Sequence, residues 1–253
     1  MVHSFWQVEG KPEFHKELIL PKGNIEIIFN FSDKNPFVAK LAANAFYLPA
    51  CFINGFNTSP ITLTLPENQS FFGVRLHPLG VKQLIRVPAS AFLDMIVDLP
   101  LVDRNFNTLW HQLAEESDFE KRIAIFYNHI FKATAETHPR EKLINNFLSG
   151  TDQHDLSVTQ LSGILCYSSR QLSRKIFEAS GMNTETMLLY KKYLHAVHLV
   201  HHTALPLTEI AYLGNFSDQS HFIRTFRQFT GLTPGEYRRN KSFITGHLFE
   251  DVR

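Results

Sequence analysis

The chain has 253 residues, 44% hydrophobic and 19% charged, which is enough apolar material for a buried core and excludes a disordered chain. Two cysteines, Cys51 and Cys166, exclude a disulfide scaffold and a Cys-rich zinc site, and the lack of any run of eighteen apolar residues excludes a helical membrane span. The net charge of +1 hides an asymmetry: 14 Lys/Arg against 17 Asp/Glu up to Asp155 and 11 against 7 from Leu156 onward, so −3 in front and +4 behind, as suits a back half that meets a polyanion.

The opening MVHSFWQVEGKPEF has neither a basic nor an apolar leader region, so a cytoplasmic location is expected. Residues 25–31 alternate, with Ile25, Ile27, Phe29 and Phe31 on one face. Leu18-Ile19-Leu20 precedes them, and Pro21-Lys22-Gly23-Asn24 supplies turn chemistry between the two runs. Residues 46–48, 61–65 and 71–76 read as further short strands, punctuated by Pro49, Asn54-Gly55, Pro60 and Pro66. Short strands with regular breaks predict an antiparallel barrel or sandwich. The phenylalanines gathered here (Phe29, Phe31, Phe46, Phe52, Phe56, Phe71, Phe72) read chiefly as core, and some are candidates to line a pocket for a small apolar or amphipathic effector.

Helical patterns follow His77-Pro78-Leu79-Gly80. Residues 81–87 read as a short helix stopped by Pro88. Asp118 caps a longer one over 118–135, whose stripe of Phe119, Ile123, Phe126 and Ile130 packs on the barrel or forms a dimer seam. Pro139 marks a boundary, and residues 134–138 read as the hinge.

The back half repeats one unit twice. In residues 156–179, Ser157 caps a short helix carrying Leu161 and Leu165. Cys166-Tyr167 turns, with Cys166 expected to be a packed small residue, and Ser168 caps a second helix with Leu172 and Ile176 inward. In residues 207–229, Thr208 starts a short helix with Ile210 and Ala211. Asn215 takes the turn, where it tolerates a left-handed backbone, and Ser217 is expected to cap a second helix with Phe222 and Phe226 inward. Ser162 and Ala211, both small, occupy matching positions where two helices cross. This is the anatomy of a helix-turn-helix, occurring twice. Residues 184–202 between them read as one helix; at 1.5 Å per residue eighteen or so residues span about 27 Å, enough to hold two reading helices roughly one DNA turn apart.

The residues left outward are Ser169, Arg170, Ser173, Arg174 and Lys175 in the first unit. In the second they are Gln219, Ser220, His221, Arg224 and Arg227, with Asp218 and Ile223 beside them. Arginine and glutamine reach guanine and adenine edges in paired hydrogen bonds, serine and lysine hold phosphates, and a serine-capped helix start adds backbone N–H donors.

On these residues the segment 156–239 resembles the DNA-binding domain of the AraC/XylS-type transcriptional regulators. The most specific portion is Ile210-Ala211, Asn215-Phe216-Ser217-Asp218-Gln219-Ser220-His221-Phe222, Phe226, and Thr230-Gly231-Leu232-Thr233-Pro234-Gly235-Glu236-Tyr237-Arg238. The first unit matches at Leu161, Ser168, Arg170, Leu172, Arg174 and Gly181. It departs with Ile176 at a usual phenylalanine and Lys175 at a usual apolar site, and Asn215 replaces a usual glycine. The resemblance implies sequence-specific binding to double-stranded DNA, usually by an activator that recruits RNA polymerase. Leu20-Pro21-Lys22-Gly23-Asn24 and Gly73-Val74-Arg75-Leu76-His77-Pro78-Leu79-Gly80 resemble the half-barrel domain of one branch of these regulators, which implies effector sensing or homodimerisation.

The expected fold is therefore α+β: an N-terminal antiparallel β half-barrel plus helices, then an all-α domain with two helix-turn-helix motifs joined by a long helix. Residues 1–108 form the effector-sensing or dimerisation domain, 109–137 a helical connector, 138–241 the DNA-binding domain and 242–253 a tail. No catalytic residue, metal, cofactor or membrane partner is expected. Histidine supplies the rival reading, a metal-dependent barrel enzyme fused to a DNA-tethering module. Thirteen histidines are present, of which His3, His15 and His77 are candidates to converge in the β domain. His195, His198 and His202 lie at helical spacing with Lys191, better read as a stripe facing solvent or phosphate than as a metal site. Cys51 is a second candidate for chemistry, as a reactive thiol, but methyl transfer to a zinc-held acceptor needs more cysteines.

Overall fold

The structure is a computed structural model that describes residues 1–32, 37–42, 44–130, 139–150 and 156–252; the predicted hinge at 134–138 lies outside them. Among the described residues, nine strands come from the front of the chain: β1 (Val2–Gly10), β2 (Phe14–Ile19), β3 (Ile25–Asn30), β4 (Val38–Leu41), β5 (Asn44–Tyr47), β6 (Cys51–Asn54), β7 (Ile61–Thr64), β8 (Gln69–Leu76) and β9 (Ile96–Asp98). A tenth, β10 (His247–Val252), comes from the tail. They form two five-stranded antiparallel sheets, ordered β1-β8-β3-β6-β9 and β10-β2-β7-β4-β5.

Pleating explains how β3 serves two compartments. Its odd residues Ile25, Ile27 and Phe29 are buried with the helices in the main core, while Glu26 and Ile28 face a cavity between the sheets. The predicted alternation is thus correct. The 21–24 turn, however, does not close a hairpin: β2 pairs with β7 and β10, whereas β3 pairs with β6 and β8. The chain crosses between sheets here because the turn is held from outside. Gly23, at φ +70°, donates its N–H to the Tyr190 hydroxyl at 2.9 Å, and Pro21 O accepts from the Tyr193 hydroxyl at 3.0 Å. A side chain at Gly23 would meet Leu194 at 2.7 Å, on top of the strain of a positive φ.

The helices are α1 (Pro78–Ile85), α2 (Asn105–Ala114), α3 (Phe119–Ile130), α4 (Pro139–Ser149), α5 (Val158–Ile164), α6 (Ser169–Ser180), α7 (Thr184–His202), α8 (Leu207–Leu213), α9 (Gln219–Thr230) and α10 (Pro234–Asn240). Helix α1 starts earlier than predicted, because proline suits the first helical position. Asp118 does cap α3, accepting from Lys121 N at 2.9 Å. The α3 stripe packs on the barrel: the Phe126 ring sits 5.7 Å from Phe5 and 6.3 Å from Phe29. Arg122, buried on the same helix, donates to Leu113 O, Glu116 O, Gln7 Oε1 and Glu9 Oε1, so its rigid fork ties the α2–α3 corner to β1.

Helix α7 occupies the predicted residues, and His198 and His202 are exposed as expected, but Lys191 does not share that stripe. Lys191 is buried, and its ammonium donates to the carbonyls of Phe147, Leu148 and Gly150, where α4 ends. A cation there complements the helix dipole and satisfies carbonyls that have no partner within the helix. Replacing Lys191 with Met is expected to cost about 2 kcal/mol, read as a lower urea midpoint at unchanged slope.

Candidate nucleic-acid interface and internal cavity

The two helical units are built by the same local rules. Ser157 and Ser168 cap α5 and α6, each in a reciprocal box with a glutamine three residues on. Both turns need one left-handed residue, supplied by Cys166 at φ 55° and by Asn215 at φ 52°. Cys166 is therefore exposed, not packed as expected, since the turn's backbone sets its position. After the turn, Tyr167 N donates to Ser162 O and Phe216 N to Ala211 O, both at 3.1 Å. Helices α6 and α9 each run twelve residues and end on a left-handed glycine, Gly181 and Gly231. Just before it, Ser180 and Thr230 each bond back to the carbonyl four residues earlier.

One residue breaks the repeat. The second unit has an extra position before its second helix, so Asp218 caps α9, accepting from His221 N at 2.7 Å, and Ser217 does not. That bond holds the Asp218 carboxyl below the usual carboxylate range. The charged cap already complements the helix dipole, so the start of α9 is a poor seat for a phosphate. The start of α6, capped by neutral Ser168, keeps that capacity. At the other end, α8 begins at Leu207 after Pro206, one residue before the predicted Thr208.

Ser169, Arg170, Ser173 and Arg174 on α6, and Gln219, Ser220, Arg224 and Arg227 on α9, are all exposed. His221 is half-buried, with Nδ1 3.1 Å from Ser217 Oγ and its ring against Phe216. Lys175 is half-buried as well, and its Nζ lies 3.2 Å from Glu141 on α4. The inward sides carry Leu172 and Ile176 in one unit and Phe222 and Phe226 in the other, all buried, so Ile176 takes the core position despite its departure from phenylalanine. The far end of α6 leans on the front of the chain: Glu178 pairs with Lys82 of α1, and Gly181 packs against Leu93.

A cavity of about 400 Å³ lies between the two sheets. Phe52, Phe71, Ile28 and Leu63 belong to its apolar wall, while Phe29, Phe56 and Phe72 are core, so the phenylalanines divide between cavity wall and core. Its polar end follows the strand register: Asn54 faces Glu26, Glu26 faces Arg75, and Asn57 Nδ2 donates to Asn54 Oδ1 at 3.0 Å. Opposite them Lys22 Nζ lies 2.9 Å from His247 Nε2, and His247 Nδ1 lies 2.5 Å from Glu17. The tail thus forms part of the wall, a role that composition and periodicity did not reveal.

Burial holds the imidazoles of His77, His129, His198, His201 and His247 below their ordinary value of 6.5. The unfolded chain therefore takes up protons first as the pH falls through 6.5, and folded-state stability present above that value is lost below it. The urea midpoint is expected to fall between about pH 7 and about pH 5.5, and less steeply in His247→Gln.

Among the described residues no group of three or more His, Cys, Asp or Glu side chains is placed to hold a metal. His3 and His77 do meet, with ring centroids 5.3 Å apart, but His15 lies on β2 in the other sheet. Cys51 is buried, and burial pushes its thiol well up, the opposite of a reactive cysteine. Among the described residues no helix is long and apolar enough to cross a membrane.

The front of the chain is thus a β domain, and the back is a repeated helix-turn-helix unit whose α6 and α9 each leave one face exposed. Residues 161–240 match the family model described as a helix-turn-helix domain, and residues 1–98 match a domain of unknown function, DUF6597. The chain carries an AraC-type helix-turn-helix domain behind an N-terminal β domain. It is 35% identical over 91 residues to an uncharacterised HTH-type transcriptional regulator of Staphylococcus aureus (strain MSSA476), a match covering 36% of this chain and 12% of that protein. It is 29% identical over 96 residues to the probable transcriptional regulator LumQ of Photobacterium leiognathi, covering 38% of this chain and 39% of that one. The chain therefore spans about an eighth of the length of the first of these relatives. ToxT of Vibrio cholerae shares the fold across 94% of this chain and 98% of its own, with a TM-score of 0.51 and 13% identity.

Proposed function

We propose that this chain is a one-component, cytoplasmic transcriptional regulator that binds specific double-stranded DNA and answers to a small molecule held in its β domain. The observation that carries this reading is the repeated unit, in which two buried apolar faces turn Arg170, Arg174, Gln219 and Arg224 outward. These four side chains read base edges or fix phosphates, with Ser169, Ser173, Ser220, His221 and Arg227 around them. Lys175 is the weakest member of the set, because Glu141 already holds it. The units of action are the β-rich residues 1–108, the helical connector 109–137 and the DNA-binding residues 138–241. RNA polymerase as a partner, activation as the sign of regulation, and homodimerisation enter through the family resemblance and through no contact of this chain.

The effector half rests on the cavity and on the way the two halves touch. The hydroxyls of Tyr190 and Tyr193 on α7 hydrogen-bond the 21–24 turn, whose Lys22 faces the cavity. A change at the cavity can therefore alter how α6 and α9 are presented. ToxT is bound in one of its structures to (E)-4-(8-methylnaphthalen-1-yl)but-3-enoic acid, which supports a small amphipathic effector for a chain of this fold. The reading assigns no catalytic residue and no cofactor. Genome-wide footprinting of the tagged protein tests it: discrete sites sharing one sequence are expected, and uniform or absent occupancy would refute it.

A further inference from the structure

Helices α6 and α9 correspond position by position. Their caps are Ser168 and Asp218, their buried anchors Leu172 with Phe222 and Ile176 with Phe226, and their closing residues Gly181 and Gly231. The outward residues therefore pair as well: Arg174 with Arg224, and Phe177 with Arg227. The first of these pairs keeps its chemistry, whereas the second sets an aromatic ring against a charge. Apolar residues on an amphipathic helix ordinarily turn inward. Phe177 does not: it is 55% exposed, while Leu172 and Ile176 fill the core beneath the same helix.

Helix geometry places this ring on the arc that carries the arginines. At 3.6 residues per turn, Phe177 lies about 20° around the helix from Arg170 and about 60° from Arg174. It stands about 10 Å further along the axis than Arg170, roughly the rise of three base pairs. A phenyl ring has no donor or acceptor for a phosphate or for the polar edges of bases. Thymine alone presents an apolar group in the major groove, its C5-methyl, and packing ring against methyl takes both out of water.

Resting on the DNA-binding reading above, we infer that Phe177 is a specificity-determining residue whose ring packs on the methyl group of a thymine, next to the bases or phosphates met by Arg170 and Arg174. The second unit, with Arg227 at the matching position, has no such apolar contact. The two helices then read unlike elements, and the site is not a plain repeat.

The test uses the full-length protein and a duplex carrying one footprinted site, with deoxyuridine replacing thymine at one position at a time. That exchange removes the methyl and keeps the base pair. One replacement is expected to weaken binding about fourfold, the worth of one methyl taken from water. Phe177→Ala should bind the unmodified duplex at least about fourfold more weakly, become indifferent to that replacement, and keep the salt slope of the parent protein. Phe177→Leu, still apolar, should retain part of the preference for thymine. The urea midpoints of both variants are expected at the parent value, because the ring is exposed. Parental affinity in Phe177→Ala would overturn the inference. So would a reduced salt slope in that variant, or an unchanged response to deoxyuridine at every position. In each of those results specific binding by the parent protein stands, and the proposed function with it, whereas the absence of any discrete site removes both.

Discussion

Arg174→Ala and Arg224→Ala are each expected to weaken binding to a footprinted site by about 1–3 kcal/mol, or roughly 5- to 150-fold. Both side chains are exposed on the outer face of their helix, two residues after a buried anchor, Leu172 in α6 and Phe222 in α9. Each helix is fixed at both ends by a cap and a left-handed glycine, so truncating a solvent-facing arginine leaves the fold intact. Titration on specific and unrelated duplexes at several salt concentrations separates base reading from phosphate anchoring. An arginine that reads a base edge, once truncated, lowers specific binding alone. One that anchors a phosphate lowers binding to all sequences and reduces the salt slope by about one. Lys175→Ala is expected to do less than either, because its ammonium is engaged with Glu141. Unchanged affinity for both arginine variants would remove these helices as the reading surface.

The second large effect is expected at Tyr190. Its ring is fully buried against Phe56, Tyr193 and Phe229. Its hydroxyl accepts from Gly23 N and donates to Asn57 O, closing the seam between α7 and the β domain. Tyr190→Ala should cost about 3–5 kcal/mol by opening a cavity at that seam. Tyr190→Phe keeps the ring and should cost about 1–3 kcal/mol, because it leaves a buried donor and acceptor without their shared partner. Urea unfolding of the two variants measures both, and the difference between them separates packing from hydrogen bonding. Equal, small losses would mean that the seam does not hold the two halves together.

Much of the helical half was legible in the sequence because its signals are local. Caps, left-handed turn residues and inward anchors repeat at fixed spacing, so Ser157, Ser168, Asn215, Leu172 and Phe226 read correctly without any knowledge of their neighbours. The misreadings fall where a local signal has two solutions. Ser217 and Asp218 are both good caps, and only the geometry of the longer turn selects the aspartate. Lys191 reads as a surface lysine until α4 ends beside it and its carbonyls draw the ammonium inward. Pro21-Lys22-Gly23-Asn24 is good turn chemistry, yet its partners lie on α7, about 170 residues away, so no local rule could tell a hairpin from a sheet crossing.

By itself, then, the order of residues determined the periodic elements, the twin helix-turn-helix units and the outward arginines, since capping, helical spacing and strand alternation act within a few residues. Tertiary structure decided which sheet each strand joins, where the cavity lies, and that the tail returns to pair with β2 and set His247 against Lys22 and Glu17. Those contacts join segments more than two hundred residues apart, and burial and charge pairing between distant segments come into existence only once the whole chain has packed.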